Sequence, residues 1–478
     1  MTVVALDQGT TSTRALVLDD AGDSKVVATR EHRQFYPAPG WVEHDPEELI
    51  SALRSCVESA GACSAIGIDN QGESCLAWDA ESKQAISPVI VWQDNRTQPQ
   101  VERLQAEGAA EAVLERAGLP LDSYFSASKL AWILETVPRA RELLRLGRLR
   151  LGTTDAFFLD RLTGRFVTDI STASRTSLMN LAQGCWDSEL CRLFGVPMDC
   201  LPEIVPTTGD FGVMETSHGE VPVTASIVDQ QAALYGHGCR APGHAKVTFG
   251  TGAFALMVTG TELFRAPEEG LLPTVAWQKA GEAPVYALDG GIYSASAAVN
   301  WARGLGLFDE LEQLNDFRGP PVMESGLVFV PALAGLACPH WDRGARGLWA
   351  GLSLETTGLD MARAVLEGVA CRAAEVLEAM QLRRPVSGAL SIDGGMAKNP
   401  YFRQFLADLL ERDIVQAAST ELTALGTLQL AAEAIGHPVH EQGGKTTIPP
   451  RAPCSYLLEG FRKTVTFSRE WGERNSRP

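Results

Sequence analysis

Asp7-Gln8-Gly9-Thr10-Thr11-Ser12-Thr13-Arg14 joins two short apolar runs, residues 2–6 and 15–18, which read as strands. A turn built of glycine, threonine and serine presents backbone N–H groups and hydroxyls on one side, the donor array that a phosphate chain requires. It lacks a Gly-Lys-Ser/Thr ending and no helix follows it directly, so it is not a Walker loop. Taken alone, it is also what an ordinary hairpin uses. The pattern recurs in the second half: residues 246–249 read as a strand, Gly250-Thr251-Gly252 as a turn and residues 254–258 as a strand. Two Gly/Thr-tipped hairpins in a chain of 478 residues point to two domains, each with one candidate phosphate turn.

Composition fits that reading. Hydrophobic residues make up 45% and charged residues 21%, as in globular proteins that bury a core. The formal charge of −18 argues against nucleic acid or an anionic membrane as a partner. An acidic protein that binds an anion needs local donors, which directs attention to the glycine-rich turns. The ten cysteines are scattered without a CxxC pair, so zinc spacing is absent and a reducing, cytoplasmic setting is expected. The N-terminus reads straight into a strand, unlike a signal peptide. The longest nearly apolar run, residues 327–339, is interrupted by Pro331 and Gly335 and is too short to span a bilayer.

Between the two hairpins, several apolar runs deliver polar clusters. Asp45-Pro46-Glu47-Glu48 is a strong helix start, predicting a helix to about residue 60. Residues 65–68 read as a buried strand leading to Asp69-Asn70-Gln71-Gly72-Glu73-Ser74, and residues 88–92 as one leading to Gln93-Asp94-Asn95-Arg96. Open α/β sheets place ligands at such strand ends. A helix containing Lys129 and Trp132 is expected within 121–136, and the Thr/Ser/Asp-rich segment 152–176 is expected to line a surface or cleft. The Asp19-Asp20-Ala21-Gly22-Asp23 cluster supplies a turn. A helix over 360–382 carries Val365, Val369, Ala373, Val376 and Met380 on one face, and Leu425-Gly426 opens a late helix.

Near the middle stands Ser226-Ile227-Val228-Asp229-Gln230-Gln231-Ala232-Ala233-Leu234-Tyr235-Gly236. A carboxylate at the end of a short apolar strand is held on rigid backbone, partly desolvated and aimed at one atom. The plain alternative is that Asp229 caps the helix beginning near Gln230.

Seven blocks in order, from Asp7-Gln8-Gly9-Thr10-Thr11 through Gly40-Trp41-Val42-Glu43-His44-Asp45-Pro46, Val91-Trp92-Gln93-Asp94, Asp229-Gln230-Gln231-Ala232-Ala233-Leu234, Gly250-Thr251-Gly252 and Asp393-Gly394-Gly395 to Thr423-Ala424-Leu425-Gly426, resemble the FGGY carbohydrate kinases, and within them the glycerol kinase branch. The resemblance implies an α/β fold of two actin/Hsp70/hexokinase-like (ribonuclease H-like) domains, each a mixed sheet flanked by helices, with a cleft between them. The domains are expected at 1–238 and 239–478, with ATP and Mg²⁺ in the cleft and a homo-oligomer of two or four copies. Carried over position by position, Thr10, Thr11, Ser12 and Arg14 match the first nucleotide-phosphate turn and Gly250 and Thr251 the second. Gly394, Gly395 and Asn399 match the adenosine end. Ser296 and Asn300 stand at further nucleotide positions with altered residue types, and Asp7 is the carboxylate expected near Mg²⁺. On the acceptor side fall Gly72, Glu73, Trp92, Tyr124, Asp229, Gln230 and Phe254.

Two departures matter. Gly72 stands where the glycerol kinase branch has an arginine reaching the polyol, which removes a donor fork and is expected to open space for a longer acceptor. Met214-Glu215-Thr216-Ser217-His218-Gly219-Glu220 replaces a basic effector loop, so bisphosphate regulation is not carried over. The resemblance therefore implies ATP-dependent phosphorylation of glycerol or a related polyol or sugar, with Asp229 as general base. The alternatives are a larger acceptor such as a tetritol, pentitol or ketopentose like xylulose, and a non-catalytic nucleotide-dependent binding protein on the same fold.

Overall fold

The computed structural model describes residues 2–18, 22–417, 419–439 and 444–475. The opening turn joins β1 (Val3–Gln8) to β2 (Ser12–Leu18), and β3 (Ser24–Glu31) completes an antiparallel meander. Of the turn predicted between β2 and β3, residues 19–21 lie outside the described residues. Helix α1 (Pro46–Ala60) begins as its sequence dictates. Asp45 accepts the Glu47 backbone N–H at 2.9 Å, and Pro46 fills the first turn, where a missing N–H costs nothing. Then come β4 (Ala65–Asn70), α2 (Ser126–Thr136), β5 (Val213–Thr216), β6 (Gly219–Val228) and α3 (Asp229–Gly236). The sheet order is β5-β6-β4-β1-β2-β3, with β4 parallel to β1 and β6.

The second half repeats the plan with β7 (Ala245–Phe249), β8 (Ala253–Gly260), β9 (Leu272–Trp277), β10 (Val285–Ile292), α4 (Ser296–Gly304), α5 (Gly358–Gln381), β11 (Leu390–Gly394), β12 (Ile414–Ala417), α6 (Leu422–Ala434) and β13 (Lys445–Ile448). Its sheet runs β9-β10-β8-β7-β11-β12-β13. Three antiparallel strands followed by two parallel ones therefore occur twice, as β3-β2-β1-β4-β6 and as β10-β8-β7-β11-β12. The expected pair of mixed sheets flanked by helices is what forms. Register places Asp7 beside Asp69 and Ile227 beside Asp69, so three strand ends converge on one edge.

β4 is buried at every position because helices cover both faces of the first sheet. Helix α1 packs on β1–β3, and α6, though it follows the second sheet in sequence, packs against β1, β4 and β6. Small residues make the second contact possible. A Cβ at Gly67 would stand 2.8 Å from the Thr427 carbonyl oxygen, and one at Gly236 or Gly426 would overlap a backbone carbonyl of the other helix. Helices α3 and α6 thus cross at glycine distance.

Several boundaries shift for identifiable reasons. Helix α6 starts at Leu422, so Leu425-Gly426 lies inside its first turns at the crossing rather than opening it. Helix α2 starts at Ser126, because Lys129 Nζ donates to the Ser123 and Tyr124 carbonyls at 2.6 and 2.7 Å and holds that segment as a turn. The strand predicted over 88–92 pairs only at Val89–Ile90, and the Trp92 N–H is instead given to Ser74 Oγ. Helix α5 is capped by Thr357. Its predicted stripe is buried, but so are Leu366, Ala370, Cys371 and Leu377, since core surrounds this helix on several sides. Among the described residues no helix is long and apolar enough to cross a membrane.

Candidate active site

Asp229 follows β6 directly. Val228 occupies the capping position and Asp229 the first helical one, where Oδ1 accepts the Gln230 N–H at 2.7 Å. The plain capping reading is therefore displaced by one residue. Gly72, Glu73, Trp92, Tyr124, Asp229, Gln230 and Phe254 all line one cavity of about 180 Å³, joined by Thr10 of the first candidate phosphate turn. The wall draws on both halves of the chain, since Phe254 stands on β8 and Asp289 on β10.

Each side chain has an identifiable support. Trp92 donates its indole N–H to Thr10 Oγ1 at 3.2 Å, and the Tyr124 ring meets it edge-on at 5.7 Å. Behind Trp92, Asp94 accepts the Val42 N–H at 2.6 Å and binds Arg96, whose guanidinium lies 3.8 Å over Trp41 and pairs with Glu43 at 2.7 Å. The two motifs Gly40–Pro46 and Val91–Asp94 are thus one brace, tied together at the buried Val42, Asp94 and Arg96. Glu73 adopts a left-handed φ of 58°, a costly conformation for a non-glycine residue. It is held there by Ser126 Oγ on its carbonyl at 2.9 Å and by Arg175 Nε on Oε1 at 2.7 Å. Lys246 Nζ donates to Gln230 Oε1 at 2.8 Å, which leaves the Gln230 amide NH₂ for the cavity.

Gly72 lines the cavity, but the room directly over its Cα is narrow. A Cβ there would meet Val228 Cγ2 at 2.8 Å, so a valine methyl already fills the ground over the glycine. Three functional candidates escaped the sequence reading. Arg175 lies in the segment recognised only as a cleft lining, while Asp289 and Lys246 are strand residues with no local signal.

The candidate phosphate turns are distinct from this cavity except at Thr10. Gly9 N–H closes the first turn onto Ser12 O at 3.0 Å. Thr11 is exposed, Ser12 half-buried, and Arg14 pairs across the halves with Glu421 at 2.7 Å. In the second turn the Gly250 and Thr251 carbonyls accept N–H groups of Ser296, Ala295 and Ala297, which seats the turn on the start of α4. Gly394 has φ +91°, and a Cβ there would overlap the Phe249 backbone, while Gly395 lies near Ser296. Asn300 is exposed on α4. The Asn399 side chain is used structurally, accepting the Phe402 N–H at 2.7 Å and donating to Leu314 O at 2.9 Å.

Comparison with known proteins bears on this arrangement. The model of the N-terminal domain of the FGGY family of carbohydrate kinases matches residues 2–236, and that of its C-terminal domain matches residues 245–435. The chain belongs to the FGGY family of carbohydrate kinases. This FGGY kinase is 41% identical to a glycerol kinase of Chromobacterium violaceum over 98% of each chain, and 42% identical to one of Acidiphilium cryptum over 91% of this chain and 90% of the other. The solved structure of Plasmodium falciparum glycerol kinase with ADP superposes with a TM-score of 0.90 at 28% identity, covering 98% of both chains. A xylulose kinase from Rhodospirillum rubrum shares the fold, with a TM-score of 0.85 at 23% identity over 99% of this chain and 100% of that one.

Electrostatics in this FGGY kinase hold one cavity carboxyl near neutrality. Burial, and secondarily the charge of Glu73, push the Asp229 carboxyl up to about 7, against the pull of the Gln230 N–H and Lys246. Glu73→Gln removes the neighbouring negative charge, so the acidic limb of the rate profile should move to lower pH. Profiles of kcat/KM against pH for parent and variant check this, and an unmoved or upward-shifted limb would contradict the assignment.

Proposed function

We propose that this enzyme transfers the γ-phosphate of ATP to a hydroxyl of glycerol or a related polyol or sugar, with Asp229 as the general base. The observation that carries the reading is one cavity in which a carboxylate titrating near 7 faces Glu73, Gln230, Trp92, Tyr124 and Phe254 beside Thr10 of a phosphate turn. Asp229 takes the proton from the attacking hydroxyl while Glu73 and the Gln230 amide hold neighbouring hydroxyls and the aromatic rings cover the carbon chain. Thr10, Thr11, Ser12 and Arg14 on one side, and Gly250 and Thr251 on the other, position the phosphates; Gly394, Gly395, Ser296 and Asn300 lie toward the nucleoside, with Asn399 shaping the loop there. Arg14 is paired with Glu421, so nucleotide binding shares or displaces that ion pair.

Among the described residues, no group of three or more His, Cys, Asp or Glu side chains stands close enough to cage a metal. Asp7 and Asp69, adjacent in register at the strand ends, fit Mg²⁺ held mainly by phosphate and water, and the ion would neutralise charge on the transferring group. The near-full-length glycerol kinase relatives support glycerol as acceptor. All ten cysteines are free, which supports a reducing cytoplasmic setting. The two-domain division near residue 238 and assembly into dimers or tetramers belong to the same reading. A coupled ADP-release assay over glycerol, tetritols, pentitols and ketopentoses tests it. Turnover that rises with one acceptor is expected, whereas ATP turnover indifferent to every acceptor would replace it with the non-catalytic reading.

A further inference from the structure

We propose that Arg175 and Asp289 together bind an acceptor hydroxyl other than the one that reacts at Asp229, so that the preferred acceptor carries at least three hydroxyls; this rests on the kinase reading above. Both residues line the cavity, and both are buried, at 5% and 9% exposure. Arg175 gives Nε to Glu73 Oε1 at 2.7 Å and places Nη2 3.3 Å from Asp289 Oδ2. Among the described residues its remaining Nη1 is buried without a partner, and so is Asp289 Oδ1. Buried polar atoms without partners carry a standing cost that a ligand can remove. One hydroxyl meets both needs, since its oxygen accepts from Nη1 while its proton is donated to Oδ1.

The wall around residue 72 adds little to this recognition. Residue 72 is a glycine, and the space over it is taken by the Val228 methyl, which offers only apolar contact. Gln231 is turned away, donating to Thr274 Oγ1 at 3.0 Å. Glu73 already spends one oxygen on Arg175. The guanidinium and the β10 carboxylate thus form a polar pair, beyond the groups that hold the reacting hydroxyl and its neighbours, that is able to read an additional hydroxyl. Because Asp289 comes from the second half of the chain and Arg175 from the first, that hydroxyl would also bridge them.

The test compares kcat/KM for glycerol, erythritol and propane-1,2-diol in the parent, Arg175→Lys and Asp289→Asn. Arg175→Lys keeps a positive charge between the two carboxylates but loses the planar fork. ADP affinity by calorimetry shows that each variant retains its fold. The parent should favour triol or tetritol over the diol by ~10²-fold, since a site built to bind a hydroxyl rejects an analogue lacking it. Both variants should compress that preference by ~10-fold, mainly through the KM of the hydroxyl-rich acceptor. The proposal is overturned if the parent does not discriminate against the diol. It is equally overturned if the variants lower all acceptors alike and keep the ratio, the outcome of a purely structural ion pair. A parent that phosphorylates no acceptor removes the kinase reading and this one with it, a failure visible before any variant is made.

Discussion

Asp229→Ala should lower turnover by ~10²-fold or more while leaving nucleotide affinity nearly unchanged. The carboxylate sits at a strand-to-helix junction where its backbone cannot drift, and its cavity reaches Thr10 but none of the other residues assigned to the nucleotide. Removing it should therefore spare ADP binding, measured by calorimetry, and strip the base from the acceptor step. The parent's rate should rise through about pH 7, the value to which burial lifts this group, and the variant's residual rate should lose that limb. Stability moves the other way. A carboxyl whose folded pKa is raised binds its proton more tightly in the native state than in the unfolded one. Native stability then falls as pH climbs from about 4 to about 7, and the full cost applies above that range. The stability lost across that range is on the order of a few kcal/mol. The melting temperature of Asp229→Asn should thus exceed the parent's at pH 8 and approach it near pH 4. Near-parental turnover in Asp229→Ala would remove the base assignment, and an unchanged melting gap across that range would remove the electrostatic account.

Much of this architecture was legible because its signals are local. The Gly/Thr hairpins, the Asp45-Pro46 helix start and the buried run of β4 each declare themselves within a few residues, and the order of motifs carried the acceptor side to one cavity. What escaped depends on long-range juxtaposition. Arg175 meets Glu73 across 102 residues, and a Ser-Arg-Thr segment looks the same whether its arginine faces solvent or a carboxylate. The narrowing over Gly72 escaped for the same reason. Absence of a side chain reads as space until Val228, on a parallel strand pairing with Asn70, is seen to fill it. Helix α6 reads as part of the second half because it follows that sheet in sequence. Only the three-dimensional contact of Gly67 with Thr427 reveals that it closes the first.

The crossing of α6 over α3 underlies the second large effect: Gly426→Val should destabilise the protein by about 3 kcal/mol or more and reduce activity as well. Gly426 lies where α6 crosses α3, and a Cβ there would overlap the Ala232 carbonyl oxygen and crowd the Gly236 N–H. The obstructing atoms are backbone in the middle of a helix, so no rotamer change relieves them and the helices must separate. Separation is costly because α6 also packs on β1, β4 and β6, and Thr427 Oγ1 donates to Asp69 at 2.8 Å. Activity falls with stability because α3 carries Asp229 and Gln230 at its start, and a shift of the helix moves both relative to Glu73 and Thr10. Intrinsic propensity opposes this, since replacing a helical glycine by a better helix former gains up to about 1 kcal/mol. Gly460→Ala serves as the control: it too lies in a helix, with nothing within 4 Å of an added Cβ, so it should be neutral or slightly stabilising. Denaturant titrations of the two variants beside the parent separate the terms. Equal midpoints for Gly426→Val and the parent would show that the helix crossing yields without cost, and that glycine at this position is not required by the packing.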